Sequence, residues 1–444
     1  MVKDDFTRSR PPEPLVKGTG PQGDAPYGWK PLVVLATVGI IDRFEQQLLP
    51  GVLPFIQEEW GFSDTAAGML PLGSALAAVL ISPLAGYLAD RYRRTTIITV
   101  VVLCWALATL FSSLATGLVV FFLIRMFLAA SEGFYGPVSG SLLADFYPPA
   151  SRPKAYGWKG LAPYLGGLGT VVGGVLAQHF GWRAAFVIAA VPGLVVAAIC
   201  WRLKEPPRGL LDRLAAGLPA EAAPAEGGAP HPRPDFRRQI RQVPTIPTIA
   251  LLSLALSAVG FGLAGIFYWL PTLIHRDYGV REGAAASVSG LVTVTGVMIG
   301  VLTGTWLGRR WHERRKAGRL LVGGGGIAIG GTGLALAVSM PVLGGLAALL
   351  LISVAFMAMA IPNLTASIAD VLDASSRGVG FALVQLLGTA GLAFGPFVVG
   401  MISDRTGSMA TAMYVPTVPL LLGGALTITA RLTFDRDRIR ALGR

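Results

Sequence analysis

Long apolar runs recur along nearly the whole chain, broken by short polar loops. About 20 apolar residues suffice for a helix to cross a bilayer. Lipid offers no partner to an unpaired N–H or C=O, so each run is read as a helix. The pattern predicts twelve spans, at about 31–57, 64–89, 95–117, 118–144, 155–178, 184–202, 246–271, 283–308, 320–339, 342–369, 378–402 and 409–431. The first carries Pro50 and Pro54 near its far end, where a bend is expected. The one long connection holds Pro-rich and Ala-rich stretches and the basic residues Arg237, Arg238 and Arg241. It is read as a solvated tether lying against the inner leaflet. The expected organisation is an N-terminal tail (1–30), a six-helix bundle (31–202), the central loop (203–245), a second six-helix bundle (246–431) and a C-terminal tail (432–444).

Of 444 residues, 53% are hydrophobic and 14% charged, against about 25% charged in a soluble domain. That excludes a soluble multidomain enzyme and an intrinsically disordered chain. The net charge of +12 would suit nucleic acid. Lys and Arg, however, sit at the ends of apolar runs rather than in stripes interleaved with aromatics, so no nucleic-acid partner is expected. Their distribution is lopsided: 31 fall in the tails and the loops of one side, and 4 (Arg183, Arg276, Arg281 and Arg405) on the other. The positive-inside rule then places both termini in the cytoplasm, as for a multi-pass protein of the cell (inner) membrane. Residues 1–30 lack the apolar core of a signal peptide, so the first span is expected to act as its own insertion signal. Cys104 and Cys200 lie inside apolar runs, and no metal, disulfide or cofactor is expected.

The two halves are related. Leu143-Ala144-Asp145 followed by Ser151-Arg152 returns as Ile368-Ala369-Asp370 followed by Ser376-Arg377, an offset of 225 that also relates Pro137 to Pro362. Gly169, Gly174 and Gly181 match Gly395, Gly400 and Gly407 at an offset of 226. Gly86 to Leu88 matches Gly304 to Leu307 more loosely. Six plus six helices related by a repeat is the build of many secondary transporters, whose substrate site lies near the midplane between the halves.

The segment Gly86 to Arg94 between the second and third spans resembles the cytoplasmic loop signature of the major facilitator superfamily, with Arg93 where that signature prefers Gly. Gly181 to Phe186, and the exit from the sixth span at Glu205, are similar to the same superfamily. Asp42-Arg43-Phe44, Gly51 to Gln57, Glu132 to Tyr135 and Ala162 to Gly166 resemble the spinster family. The resemblance implies an all-α membrane protein with the major facilitator fold. It also implies alternating access and a cargo of lysophospholipids or sphingoid-type lipids, moved in some members with protons. Organic-anion porters of the superfamily share the Asp-Arg pair.

An ionisable residue at bilayer depth costs about 2.5–3.5 kcal/mol on insertion scales and is a functional candidate by default. The candidates are Asp42, Arg43 and Glu45 in the first span and Arg125 and Glu132 in the fourth; none falls at mid-depth in spans seven to twelve. Arg125 and Glu132 are seven apart and share a helix face. In the superfamily's layout the first and fourth spans both line the central cavity. Asp42 and Glu132 are the expected proton-titrating carboxylates, because burial opposes their ionisation while a nearby Arg favours it. Arg43 and Arg125 are the expected head-group ligands, since guanidinium offers phosphate a fork of donors. Glu45 is expected to reach toward the outer interface. Tyr135 is a further substrate-binding candidate.

The second half offers an apolar wall with neutral polar residues, among them Tyr268, Asn363 and Gln385, expected to contact substrate. A cavity charged on one side and apolar on the other suits an amphiphile. Asp90, Arg91, Arg94, Asp145 and Arg152 are expected to form a cytoplasmic gate. Gly308 stands where Asp90 would recur, so the second-half latch is expected to be weaker or absent. The glycines of span five resemble the superfamily's antiporter signature, with Thr170 in place of its Pro.

The expected function is a proton-coupled carrier of lysolipid-like amphiphiles, working as a monomer among membrane lipids. The alternatives are an organic-anion or drug carrier, a membrane-embedded lipid enzyme and a non-transporting lipid receptor. The enzyme is disfavoured because His179, His231, His275 and His312 lie in loops or at span ends, and no nucleophile, base or metal cluster converges.

Overall fold

The computed structural model describes residues 25–160, 162–215, 241–314, 317–372 and 377–441, which are almost wholly helical. Most of the tails, and of the tether with Arg237 and Arg238, lie outside the described residues, as does Ser376. The first half comprises α1 (Lys30–Trp60), α2 (Asp64–Arg91), α3 (Arg94–Ser112), α4 (Leu118–Glu132), α5 (Tyr135–Phe146), α6 (Arg152–Lys159), α7 (Ala162–Leu165), α8 (Gly167–Phe180), α9 (Trp182–Cys200) and the short α10 (Leu210–Ala215). The second comprises α11 (Pro247–Tyr278), α12 (Glu282–Arg314), α13 (Gly318–Val338), α14 (Leu343–Ala358), α15 (Ala360–Val371), α16 (Arg377–Thr406), α17 (Met409–Ala412) and α18 (Thr417–Ala441).

Among the described residues, ten segments are long and apolar enough to cross a bilayer, counting α4 with α5, α14 with α15 and α17 with α18 as single crossings. The remaining two predicted spans fall short for different reasons. α1 has the length, 31 residues, but carries Asp42, Arg43 and Glu45 at its middle. The fifth span is not one helix but α6, α7 and α8, with Gly160 and Gly166 at the breaks, where glycine weakens a helix interior.

Matched residues of the repeat do matched work. Gly61 and Gly279, both at φ 64°, end α1 and α11 in the left-handed conformation that glycine adopts without strain. A Cβ built on Gly169 would stand 2.1 Å from the carbonyl oxygen of Phe44, and one on Gly395 would stand 2.2 Å from that of Phe261. α8 therefore lies on α1 as α16 lies on α11. In lipid the apolar drive between helices is small, and such close backbone approach carries the packing.

One apolar core, with Leu35, Val38, Trp105, Leu142 and Tyr147, belongs to the first half alone, at the end bearing the basic loops. A second is continuous through both halves, joining Leu53, Ile56 and Phe186 to Trp269, Val399 and Leu420. The halves are thus fused away from the basic end.

Candidate functional site

α1 and α4 place the interior charges together. Asp42, Glu45 and Arg125 are buried, at 3%, 1% and 5% exposure, whereas Arg43 is largely exposed. Gln46, one helical turn beyond Asp42, joins them. Its Nε2 donates to Asp42 Oδ1 at 3.2 Å and to Glu132 Oε2 at 3.1 Å, bridging α1 to α4. Its Oε1 accepts from Arg43 Nη1 at 2.8 Å, and Arg43 Nε stands 3.5 Å from Asp42 Oδ2. Sequence reasoning missed Gln46; its spacing of four from Asp42 on a helix was the available signal.

Arg125 is not saturated in this way. Its Nε and Nη1 are buried with no hydrogen-bond partner, and it makes no ion pair among the described residues. The charges around it are Glu132 and Glu45, with Tyr268 facing it from the second half. Glu132 Oε1 and Glu45 Oε1 are orphaned as well. Leaving a buried donor or acceptor unpaired costs about 1–3 kcal/mol, and more for a charged group. Spare guanidinium donors beside spare carboxylate acceptors can take an anionic group and a proton respectively. Glu45 does not reach the outer interface as expected: its Oε2 accepts from Thr109 on α3 at 3.1 Å, within the bundle.

The other candidates lie in varied settings. Tyr135 is buried, donates to the Leu35 carbonyl at 2.6 Å, and carries the Lys159 ammonium 5.0 Å from its ring centroid. Lys159 also donates to Ser139 Oγ at 2.6 Å and lies in the field of Asp42, a cation of this site that sequence reasoning missed. Tyr268 donates to the Ala67 carbonyl at 2.7 Å, a bond between the halves. Asn363 is a clasp inside the second half: its Nδ2 reaches the carbonyls of Gly304 at 2.9 Å and Met359 at 2.8 Å. Gln385 is exposed.

At the basic end, Arg94 pairs with Asp145 and, at 2.8 Å, with Glu205, whose other oxygen accepts from Thr95 N. Arg152 pairs with Asp212 of α10 at 2.7 Å, and Arg91 donates to Tyr87. These contacts lie within the first half; the side chain of Asp90 is outside the description. The second-half latch, expected to be weaker or absent, is present: Arg319 pairs with Asp370 at 3.0 Å. These are the positions of Arg94 and Asp145 advanced by 225, so the latch recurs through a different acid from the one sought.

The bonds that join the halves cluster at the opposite end. Buried Asp64 receives Arg276 through two bonds of 2.8 and 2.9 Å, Gln57 Nε2 at 2.8 Å and Ser403 Oγ at 2.7 Å. Asp404 of α16 caps the start of α2, accepting from Asp64 N at 3.0 Å and Thr65 N at 2.8 Å. Gln178 of α8 caps the start of α12 in the same way, accepting from Gly283 N at 2.9 Å. Residues 178 and 404 are themselves one repeat apart, at 226. At this rim Glu59 pairs with Arg183 at 2.7 Å. The hydrogen bonds from Arg183 and Trp182 hold the Glu59 carboxyl down at about 2.

Residues 35–356 match the family model described as Major Facilitator Superfamily. Among curated relatives, protein spinster homolog 1 of Xenopus laevis is 24% identical over 92% of this chain and 82% of its own length. The hexuronate transporter of Bacillus subtilis (strain 168) is 25% identical over 91% of this chain and 93% of its own. Among solved structures, a bacterial homolog of the human lysosomal transporter spinster, in an inward-facing and unoccupied conformation, superposes with a TM-score of 0.81. That likeness has 24% identity and covers 94% of this chain and 99% of the other. A D-xylose-proton symporter gives a TM-score of 0.68 at 17% identity, covering 93% and 98% of the two chains.

Proposed function

The chain belongs to the Major Facilitator Superfamily, whose fold is that of transporters rather than enzymes, and we propose that it is a proton-coupled carrier of lysophospholipid-like or sphingoid-type amphiphiles. The observation that carries this reading is Arg125, buried with two unpartnered nitrogens beside Glu132. An anionic head group supplies the acceptors that guanidinium lacks there. Asp42 and Glu132, bridged by Gln46, are the proton-binding pair. A proton on either removes a negative charge near Arg125 and frees the guanidinium for cargo. The apolar second half receives the acyl chain, with Tyr268 and Gln385 as further contacts.

With the basic loops in the cytoplasm, the seams capped by Asp404 and Gln178 close the outer side, and the site opens inward. Alternating access then requires those caps to part while the Arg94 and Arg319 ends draw together. Coupling follows if the proton and the cargo have different affinities for the two states. A second reading, an organic-anion carrier, is favoured by the Bacillus hexuronate relative and uses the same Arg125.

The test is uptake into proteoliposomes of a lysophosphatidylglycerol, a sphingoid phosphate and glucuronate, each with and without a pH gradient. Gradient-dependent movement of either lipid supports the first reading. Movement of glucuronate alone replaces it with the second.

A further inference from the structure

The seam between α8 of the first half and α12 of the second carries a groove on its outer, lipid-facing side. A Cβ built on Gly174 would stand 2.2 Å from the Ala286 methyl, and one on Gly290 would stand 2.5 Å from the Gly167 carbonyl oxygen, so the two backbones nearly touch. On α8 the exposed positions Leu168, Val172, Val175 and His179 share one helix face. On α12 Ala284, Leu291, Met298 and Leu302 share another. The two faces meet at the end away from the basic loops, in a hollow of about 260 Å³ lined by Val175, Gln178, His179, Arg281, Ala284 and Ser287. Its mouth carries an uncommitted cation. Of the basic residues at this end, Glu59 holds Arg183 and Asp64 holds Arg276. Arg281 makes no ion pair or side-chain hydrogen bond among the described residues. The neighbouring acid, Glu282, faces His275 at 3.6 Å. The other seam is furnished oppositely. One repeat on from Gln178 stands Asp404, and the hollow there sets Asp64, Asp277 and Asp404 against Arg276.

We propose that the hollow between α8 and α12 seats the phosphate of an anionic phospholipid such as phosphatidylglycerol, and that this lipid braces the two halves at their closed end. Arg281 offers the phosphate its fork of donors from α12, and His179 stands beside it on α8. An acyl chain lies along the two apolar faces below. From His179 down to Leu168 is about 16 Å along the helix axis, against about 15 Å for the hydrocarbon of one leaflet. The three acids of the other seam repel a phosphate, so one seam binds this lipid and the other does not. A lipid that touches both halves binds better while the seam is shut, and so shifts the population toward that state. The site lies on the face of α8 turned away from α1 and its charges, and it is independent of the cargo assigned above.

Native mass spectrometry of the full chain, released from nanodiscs of mixed phosphatidylcholine and phosphatidylglycerol, reads the bound lipid. One phosphatidylglycerol is expected to stay with the parent. His179→Ala combined with Arg281→Ala is expected to weaken its retention about tenfold or more, the scale of one lost hydrogen bond to a charged group. Arg281→Lys is expected to keep most of the retention and Arg405→Ala, at the other seam, all of it. Glycerol phosphate, a head group without a chain, is expected not to displace the lipid. Equal retention by parent and double variant, an equal loss in Arg405→Ala, displacement by glycerol phosphate, or a second copy of the chain in place of the lipid overturns the site. Spin-label distances across α2 and α16, at the other seam, read the brace. Phosphatidylglycerol is expected to shift the parent toward the shorter distance and to leave the double variant unmoved. A parent that responds no more than the double variant overturns the brace.

Discussion

The same repeat is furnished differently in the two halves. Arg125 and Glu132 advance by 225 to Leu350 and Met357, which are 1% and 0% exposed and packed in the continuous core. The fold therefore accepts apolar side chains at both positions, and nothing in its packing requires a cation and an acid there. Buried charged groups left without partners cost stability, and apolar replacements of similar volume are often neutral or stabilising. On the proposed reading, the charges of the first half serve binding rather than packing. The basic end repeats the contrast. Arg94 is 2% exposed at its side chain and holds both Asp145 and Glu205, whereas Arg319 holds Asp370 with both partners near 30% exposed.

Exchange of the furnishings is the sharpest way to break this comparison. Arg125→Leu combined with Glu132→Met gives the first half the residues of the second. Melting in detergent is expected to be unchanged or stabilised by up to about 4 kcal/mol, with gradient-driven uptake falling to that of empty liposomes. A double variant that unfolds would mean the charges serve the fold. Next in size is the pair of latches. Arg94→Ala strands buried Asp145 and half-buried Glu205 and is expected to destabilise by about 3–5 kcal/mol. Arg319→Ala is expected to cost about 1 kcal/mol or less, as read from the same melts.

The two seams of the outer end differ more subtly. Asp404 offers α2 a charged cap and Gln178 offers α12 a neutral one. Asp404→Ala is expected to shift the halves toward separation at that end by about 0.5–2 kcal/mol, the range for a lost helix cap. Gln178→Ala is expected to shift them less. Spin-label distances across α2 and α16 read the change, and equal shifts would erase the distinction.

The smallest effect belongs to Glu59. Its carboxyl is held at about 2 by Arg183 and Trp182, below the usual carboxylate range. Its contribution is fully present above the ordinary carboxylate value and is lost as pH falls through about 2. Both partners are more than a third exposed, so solvent screening keeps the gain below about 1 kcal/mol. Glu59→Gln is expected to melt slightly earlier at neutral pH, with the gap closing in acid.

The architecture was legible because the membrane imposes it: apolar run length gave the spans, and matched glycines such as Gly169 and Gly395 gave the repeat. Asp42, Arg125 and Glu132 stood out because lipid makes such residues rare. What the chain alone could not reveal were partners far apart in sequence. Gln46 meets Glu132 across 86 positions, and Asp404 meets Asp64 across 340. Neutral Gln46 carries no penalty that would mark it, and Asp404 looks like an ordinary loop-end acid. The Arg319–Asp370 latch was within reach, since the offset of 225 applied to Arg94 points to it. Gly308, aligned with Asp90, points instead to an acid that does not recur.

On the proposed reading, the acids of the first half carry protons with the cargo. Its most direct measurement follows internal pH with a trapped dye while a lysophospholipid enters proteoliposomes bearing the parent chain, Asp42→Asn or Glu132→Gln. Proton movement is expected to accompany the lipid in the parent and to vanish in both variants, with each still binding lipid. Lipid entry with no proton movement in the parent, or parental proton movement in both variants, would contradict it.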